Sequence, residues 1–315
     1  MSSSKKSVHK TADIAIVLPV YNRARIVKRT IRSIEGQKVW PSELIMVDNA
    51  STDNTRQVLN DLAAELTDKG MNIKVVTEEE RGAAAARNRG LAEVTAKWVM
   101  FFDSDDEMMT THLKSAMACA ERHPDAEIIG WDVEGINLDG TCRRELFNVS
   151  RAKRRNLYNG SMATQRFMAH TELVRRVGGW NKKMLIWDDI ELGSRLIAQR
   201  PKMVKRHDEI LVLRHAQRES ITGTTFAERE PLYKAPLDAL LENLGERWKN
   251  PIALKAMILA ADMTREGSDH GIRWRHYILD AISGTRTRAI LKAAYAYQVH
   301  GGRGTARIFH SLLPR

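Results

Sequence analysis

The stretch Asp13–Gly36, DIAIVLPVYNRARIVKRTIRSIEG, decides the fold class. Asp13–Leu18 is nearly all apolar and β-branched, as expected of a strand buried on both faces. Pro19 stops it. From Arg25 to Gly36, residues Ile26, Val27, Thr30, Ile31 and Ile34 share one helical face. A strand, a turn and an amphipathic helix in that order open a βαβ unit. The pattern then recurs downstream. Glu43–Val47 predicts a second strand ending at Asp48, and Ser51 or Thr52 can cap a helix striped with Val58, Leu59, Leu62 and Leu66. Asn72–Val76 predicts a third strand, Ala83–Val94 an Ala-rich helix, Lys97–Phe102 a fourth strand and Glu127–Val133 a fifth. Strands and helices alternating at this spacing give a mostly parallel sheet flanked by helices. Ligands of such sheets bind beyond the carboxyl ends of the strands. Tyr21, Asp48 and Asp103 all fall just past predicted strand ends, which argues for one site.

The strongest local feature is Asp103–Ser104–Asp105–Asp106–Glu107. Carboxylates this close repel one another unless something positive sits among them. A divalent cation with oxygen ligands is one solution. Capping of a following helix by Ser104 or Asp105 is the plainer one. Asp48–Asp53 (DNASTD) is a second polar turn, where Asp48 can accept from a nucleobase or ribose or simply shape the turn. Arg87 lies where a fixed guanidinium suits a phosphate or a pyrimidine carbonyl, or merely a solvated helix face. Asp188 and Asp189 open a helix running to about Gln199; two adjacent carboxylates can separate their pKa values and leave a general base, or only cap the helix. His215 can ligate a metal or touch a diphosphate, although a lone histidine is more often structural.

Composition bounds the rest. The chain has 315 residues, only two cysteines (Cys119 and Cys142) and a formal net charge of +11. Two cysteines exclude a disulfide scaffold and a Cys-rich zinc module, and suit a reducing cytosol. No apolar run approaches the roughly 18 residues of a membrane span. Residues 1–11 are expected to form a disordered tail, and Met1–Lys10 lacks the apolar core of a secretory signal. The positive balance favours polyanionic partners without choosing among them. No G-x-G-x-x-G follows a strand and no P-loop is present, so dinucleotide and P-loop chemistry lack their fingerprints. Asn137–Met168 is weakly periodic and basic and predicts long loops with short strands. After about Gly223, Ala235–Arg247, Ile252–Arg265, Asp269–Ile282, Arg286–Val299 and a short piece from Arg303 all predict helices.

Taken in order, LPVYNR (Leu18–Arg23), VDNASTDNT (Val47–Thr55), GAAAARNRG (Gly82–Gly90), FFDSDDE (Phe101–Glu107), VGGWN (Val177–Asn181) and DDIELGSRL (Asp188–Leu196) resemble the family 2 glycosyltransferases of the GT-A fold. The resemblance covers about Asp13 to Ser220. It implies a GT-A catalytic domain over 12–223, with a nucleotide-binding half at 12–106 and an acceptor-binding half at 107–223. A helical C-terminal region at 224–315 would follow. It implies inverting transfer of a hexosyl or N-acetylhexosaminyl group from a nucleotide-diphosphate sugar, UDP-sugar first, to an acceptor hydroxyl. Pro19, Val20, Tyr21 and Asn22 would line the nucleotide-sugar site with Asp48, Arg87, Asp103 and Ser104. Asp103–Ser104–Asp105 would be the DxD motif. Asp105, with Asp103 and His215, would hold Mn²⁺ or Mg²⁺. Asp189 would be the base, paired with Asp188 where Glu is more usual in the family. A glycan or lipid-linked acceptor, bacterial surface polysaccharide or lipopolysaccharide assembly and a cytoplasmic location follow from the same resemblance. A nucleotidyltransferase of similar fold is the enzymatic rival, but the loop Pro19–Arg25 has no glycine. A non-catalytic nucleic-acid-binding protein is the rival from another class; the scattered charge and the lack of a binding module tell against it, and no nucleic-acid partner is expected. From Arg265 to Arg315 the chain carries nine Lys/Arg against three Asp/Glu. A solvated helix face explains this plainly, and peripheral attachment to the inner face of an anionic membrane explains it more sharply.

Overall fold

The computed structural model describes residues 9–207, 209–217 and 224–314. The chain forms two compact units. One comprises the chain up to Ala152 with Ser161–Lys182 and Asp188–Ala216; the other comprises Lys153–Gly160, Lys183–Trp187 and the chain from Gln217.

The first unit is built on strands β1 (Thr11–Val20), β2 (Trp40–Asp48), β3 (Ile73–Thr77) and β4 (Trp98–Phe101), with helices α1 (Val27–Glu35), α2 (Thr55–Asp68) and α3 (Ala83–Glu93) between them. β5 (Glu107–Met108), α4 (His112–Arg122), β6 (Ile128–Gly130), β7 (Val133–Ile136) and β8 (Cys142–Glu145) follow. After α5 (Ala152–Asn159), which beyond Ala152 belongs to the other unit, come β9 (Phe167–His170), α6 (Thr171–Arg176), α7 (Asp188–Ala198), β10 (Met203–Lys205) and β11 (Val212–His215). Seven strands make the main sheet in the order β10-β6-β9-β4-β1-β2-β3, and four make a smaller one, β5-β11-β7-β8. β1 is central and runs parallel to both β2 and β4. β9 is antiparallel to β4 and β6. Alternation along β1 builds a core on each face of the sheet. Ile14, Ile16 and Leu18 enter one apolar cluster, and Ala15 and Val17 enter the other. The continuous apolar run in the sequence is the mark of this two-sided burial.

Two sequence expectations are corrected here. No helix begins at the acidic cluster: Glu107–Met108 pairs with β11 in the small sheet, and α4 starts at His112. The Glu127–Val133 run splits, because β6 belongs to the main sheet while β7 pairs with β8 and β11 in the small one. Trp131 and Asp132 make the crossing. The first eight residues of the expected tail lie outside the described residues, while His9 stacks on Trp40 at 3.9 Å and β1 already includes Thr11.

The second unit is helical, with α8 (Glu230–Leu244), α9 (Lys249–Arg265), α10 (Asp269–Ala281), α11 (Thr285–Val299) and α12 (Thr305–His310). α9 is its axis: Leu254, Met257, Ala260, Ala261 and Met263 are buried, and α8, α10, α11 and α12 all pack on it. α8 starts earlier than its sequence suggests because it tolerates Pro231 in its first turn and Pro236 inside.

Candidate active site

Parallel register sets the site. Val20 of β1 pairs with Asp48 of β2, and Val17 with Phe101 of β4. The carboxyl ends of three adjacent strands therefore release Tyr21, Asp48 and Asp103 along one edge. The loops there are fixed by side chains. Asn22, at φ 50, accepts from Thr52 N at 2.8 Å, and its own N–H donates to Ser51 Oγ at 3.1 Å. Asn22 is thus occupied in joining two loops. Asn49 accepts from Gly82 N at 2.8 Å and donates to the Glu80 carbonyl at 2.7 Å, which anchors the start of α3. Pro19 is half-buried, and Val20 buries its side chain in the core. Tyr21 is exposed, and its hydroxyl accepts from Arg81 at 2.6 Å. Asp48 is buried and its Oδ1 meets no partner among the described residues. A buried carboxylate oxygen without a donor is costly unless a ligand supplies one.

Arg87 projects from α3 into the middle of the site. One Nη donates to Asp103 Oδ1 at 2.8 Å and the other to Asp188 Oδ2 at 2.6 Å. Its guanidinium also lies 4.4 Å over the Trp180 ring. Burial works against this charge, yet Asp103, Asp188 and Asp189 together raise its pKa further. α3 can stand this close to the sheet because residue 90 is glycine: a Cβ there would lie 3.1 Å from Val47 Cγ2 and closer still to Val17 Cγ1.

The acidic strand end is crowded. Asp103 is held by Arg87 on one oxygen and by the Gln165 amide on the other. Gln165 also donates to Asp106 Oδ2 at 2.6 Å, and Asp106 Oδ1 accepts from His215 N at 2.9 Å. Burial, then Asp103 and Asp105, push the Asp106 carboxyl well above the usual range. Burial and the neighbouring Asp103 push Asp105 up to about 6. Ser104 between them is buried. His215 Nε2 meets Glu107 at 2.8 Å, and Arg29 meets the same carboxylate at 3.1 Å. Burial and Arg29 lower the His215 pKa against the pull of Glu107, and so favour the neutral ring. Among the described residues, no three His, Cys, Asp or Glu side chains gather as a ligand set complete in itself. The structure thus joins Asp103 to Arg87 and Gln165, and His215 to Glu107, instead of assembling Asp103, Asp105 and His215 as one cage. The donor set still fits a hard divalent ion. Such an ion needs only one or two carboxylates and completes its shell with phosphate and water, and the mutual repulsion of Asp103, Asp105 and Asp106 is what it would relieve.

At the start of α7 the two carboxylates differ. Asp188 is engaged by Arg87 and also accepts from Asp189 N at 3.0 Å. Asp189 accepts from Ile190 N at 2.7 Å, while burial and Asp188 push it up to about 6 despite Arg166 and Arg87. A carboxylate at that value is ionised at pH 7 yet basic enough to take a proton.

A family model for glycosyl transferase family 2 matches residues 15–178, more than half of the chain. The chain belongs to this family. A putative teichuronic acid biosynthesis glycosyltransferase, TuaG, of Bacillus subtilis is 34% identical over 33% of this chain and 40% of its own length. A PGL/p-HBAD biosynthesis glycosyltransferase of Mycobacterium bovis is 24% identical over 78% of this chain and 94% of its own length. A third relative, an uncharacterised glycosyltransferase of Nostoc, is matched over 28% of its length, so two of these three alignments span less than half of the relative. Among solved structures, S. aureus TarS 1–349 in complex with UDP-GlcNAc superposes with a TM-score of 0.66 at 17% identity, covering 95% of this chain and 91% of that one. The Pyrobaculum calidifontis mannosyltransferase PcManGT, in complex with GDP-Man and Mn²⁺, gives a TM-score of 0.55 at 16% identity over 98% of this chain and 86% of that one. The fold is GT-A, with a central sheet flanked by helices and a helical C-terminal region.

Sequence reasoning did not find Gln165 or Trp180 as site residues. Gln165 lies on a short 3-10 turn, Thr164–Arg166, inside the weakly periodic stretch Asn137–Met168. Trp180 enters the sequence reading only within VGGWN (Val177–Asn181), with no role attached to it. Gly179, at φ 68, lets the chain fold back so that Trp180 N reaches Asn88 Oδ1 at 2.8 Å.

Proposed function

We propose that this protein transfers a sugar from a UDP-sugar to an acceptor hydroxyl with inversion at the anomeric carbon. The observation that carries this reading is Arg87, which ties Asp103 of the first acidic motif to Asp188 of the second in one site. In this reading residues 12–106 hold the donor and 107–223 present the acceptor. Asp48, with its unpartnered oxygen, accepts from the nucleobase or ribose. Asp103, fixed through both oxygens, orients the ribose. Asp105, with Asp103 and His215, would hold Mn²⁺ or Mg²⁺. A bound ion there supplies positive charge against a departing diphosphate. Asp189 accepts the proton of the attacking hydroxyl, and its elevated pKa suits that task. Asp188, clamped by Arg87, keeps α7 in place. Inversion needs one base and one leaving group, so no protein nucleophile is required.

Two relatives are named, one as a putative teichuronic acid biosynthesis glycosyltransferase and one as a PGL/p-HBAD biosynthesis glycosyltransferase. That supports, for this chain, a glycan or lipid-linked acceptor in bacterial surface polysaccharide assembly at the cytoplasmic side. No helix among the described residues is long and apolar enough to cross a membrane. Family membership favours sugar transfer over nucleotidyl transfer and over nucleic-acid binding. The test is release of UDP from UDP-glucose, UDP-galactose and their N-acetyl forms, measured for wild type and Asp189→Asn with Mn²⁺ or EDTA. Equal release by wild type and variant, or no donor binding by any of the four, would overturn the reading.

A further inference from the structure

Three arginines and one glutamate gather at the small sheet, apart from Arg87 and its partners. Register places Arg214 of β11 beside Gly135 of β7, and Gly135 beside Arg143 of β8. Glu145, two residues on from Arg143, shares its face of β8 and reaches across Gly135. Its Oε1 accepts from Arg214 Nη2 at 2.8 Å and its Oε2 from Arg166. Glycine leaves the room for this pair, because a Cβ at 135 would lie 2.7 Å from Glu145 Oε1 and 2.9 Å from Arg214 Nη2. Arg144 turns to the other face and pairs with Asp132 at 2.9 Å. Arg143 is exposed and meets no partner among the described residues. Arg214 is held through Nε and Nη2; its side chain is partly exposed, and its Nη1 donates to none of the described residues.

The two ends of this row differ. Asp105 and Asp106 are close enough to act on the charge of Arg214, as Arg166 is to act on Asp189. Arg214 and Arg166 therefore stand at the reaction end, and Arg143 lies two strand spacings away, roughly 10 Å. Most carboxylates around them are already engaged. Both oxygens of Glu145 are taken by arginines. Asp106 is fully buried, with its oxygens taken by Gln165 and His215 N. Asp105 is the exception, and it is the residue assigned above to the metal ion. What stays unpaired and open to solvent is the guanidinium of Arg143 and one arm of Arg214, and guanidinium forks match carboxylates and phosphates. We infer that the acceptor is an anionic glycan whose carboxylate or phosphate groups lie along Arg214 and Arg143. The inference rests on the reading of the protein as a sugar transferase and names the class of its acceptor.

The experiment is calorimetric titration of the full chain, in EDTA, with trigalacturonate, a glycerol phosphate trimer and neutral galactotriose, each with and without UDP. Wild type should bind an anionic trimer about tenfold or more tightly than galactotriose. Arg214→Met should weaken binding of that trimer by about ten- to a hundredfold, as for a lost hydrogen bond to a charged group, and leave galactotriose unchanged. Arg143→Met, at the exposed end, should weaken it by about two- to fivefold. Circular dichroism melting checks that both variants are folded, and the exposed Arg143 carries the test where Arg214→Met does not fold. Equal affinity of wild type for charged and neutral trimers, or an anion preference unchanged in the variants, would refute the inference. So would competition between UDP and the anionic trimer that Arg214→Met abolishes, because the arginine would then serve the donor's diphosphate. The same titrations read UDP binding without turnover, so failure of the donor reading shows as lost UDP binding and is distinct from failure of the acceptor inference.

Discussion

Arg87 and Asp188 lie 101 positions apart in sequence and meet at 2.6 Å. The other arm of the same guanidinium holds Asp103 at 2.8 Å. One buried cation therefore neutralises a carboxylate from each of the two acidic motifs and fixes their separation. Arg87→Met should leave two carboxylates uncompensated. The expected loss is about 3–5 kcal/mol of stability, read as a lowered urea midpoint. Arg87→Lys keeps the charge but lacks the planar fork that spans both partners. It should fall between the two in stability and still lose turnover. A Met variant as stable as wild type would show that the clamp is not structural.

Asp189→Asn should lower kcat by roughly 10²–10⁴, the span of general-base catalysis. In the proposed role the side chain meets the acceptor and not the nucleotide, so donor binding should be unchanged. Isothermal titration with UDP, set beside turnover, separates the two. Matching losses in affinity and in kcat would place Asp189 in donor binding instead.

Through Asp105 and Asp189, acid should act on activity and stability in opposite directions. Burial and Asp188 raise Asp189, and burial and Asp103 raise Asp105, each to about 6. A base that must be ionised loses activity below that value, about tenfold per pH unit for one group and more steeply for two. For stability the sign reverses. The folded chain takes up these protons at a higher pH than the unfolded chain, whose Asp residues titrate near about 3.9. The cost of holding both ionised is therefore full above about pH 6 and fades toward pH 4. From pH 7 to 4.5 the urea midpoint of wild type should gain on that of Asp189→Asn while kcat/KM falls, the lowered pKa values of His112, His170, His215 and His310 acting equally on both proteins and in the opposite sense. A wild-type midpoint that gains nothing on the variant through this window would contradict the assignment.

Nucleotide and metal should act together. UDP at 100 times its dissociation constant should add about 2.7 kcal/mol, or roughly 2–4 °C of melting temperature per kcal/mol. With Mn²⁺ the shift should exceed that with EDTA. Asp105→Asn should remove the metal-dependent part and keep the rest, because Asp48 and Asp103 do not depend on it. If GDP, CDP or dTDP gave the larger shift, the donor assignment would change and the site would stand.

The strands and helices were legible because buried parallel strands write themselves as unbroken apolar runs, as in Asp13–Leu18. The strand-end residues Asp48 and Asp103 were legible for the same reason, since the end of the run marks the edge of the sheet. What stayed hidden depends on contacts between distant parts of the chain. Nothing near Gln165 indicates that its amide bridges Asp103 and Asp106, 62 and 59 positions away. The acidic cluster looked like a helix cap because a cap and a short edge strand share the same local composition. Pairing of Glu107–Met108 with β11, about a hundred residues downstream, decides the matter.

Gly90 offers a test of how closely the site depends on the sheet. It is the point where α3 presses on β1 and β2, and a Cβ there would crowd Val47 and, more tightly, Val17. Both valines are fully buried, so neither can swing away. Overpacking of this kind costs about 1–3 kcal/mol. Gly90→Ala should therefore destabilise by that amount and lift α3 off the sheet. Because Arg87 lies three residues earlier on the same helix, lifting α3 also draws its guanidinium away from Asp103 and Asp188. The variant should lose turnover out of proportion to its loss of stability, at a temperature where it remains folded. A variant that is destabilised but turns over normally would mean that Arg87 keeps both partners by side-chain adjustment, and that the clamp tolerates movement of its helix.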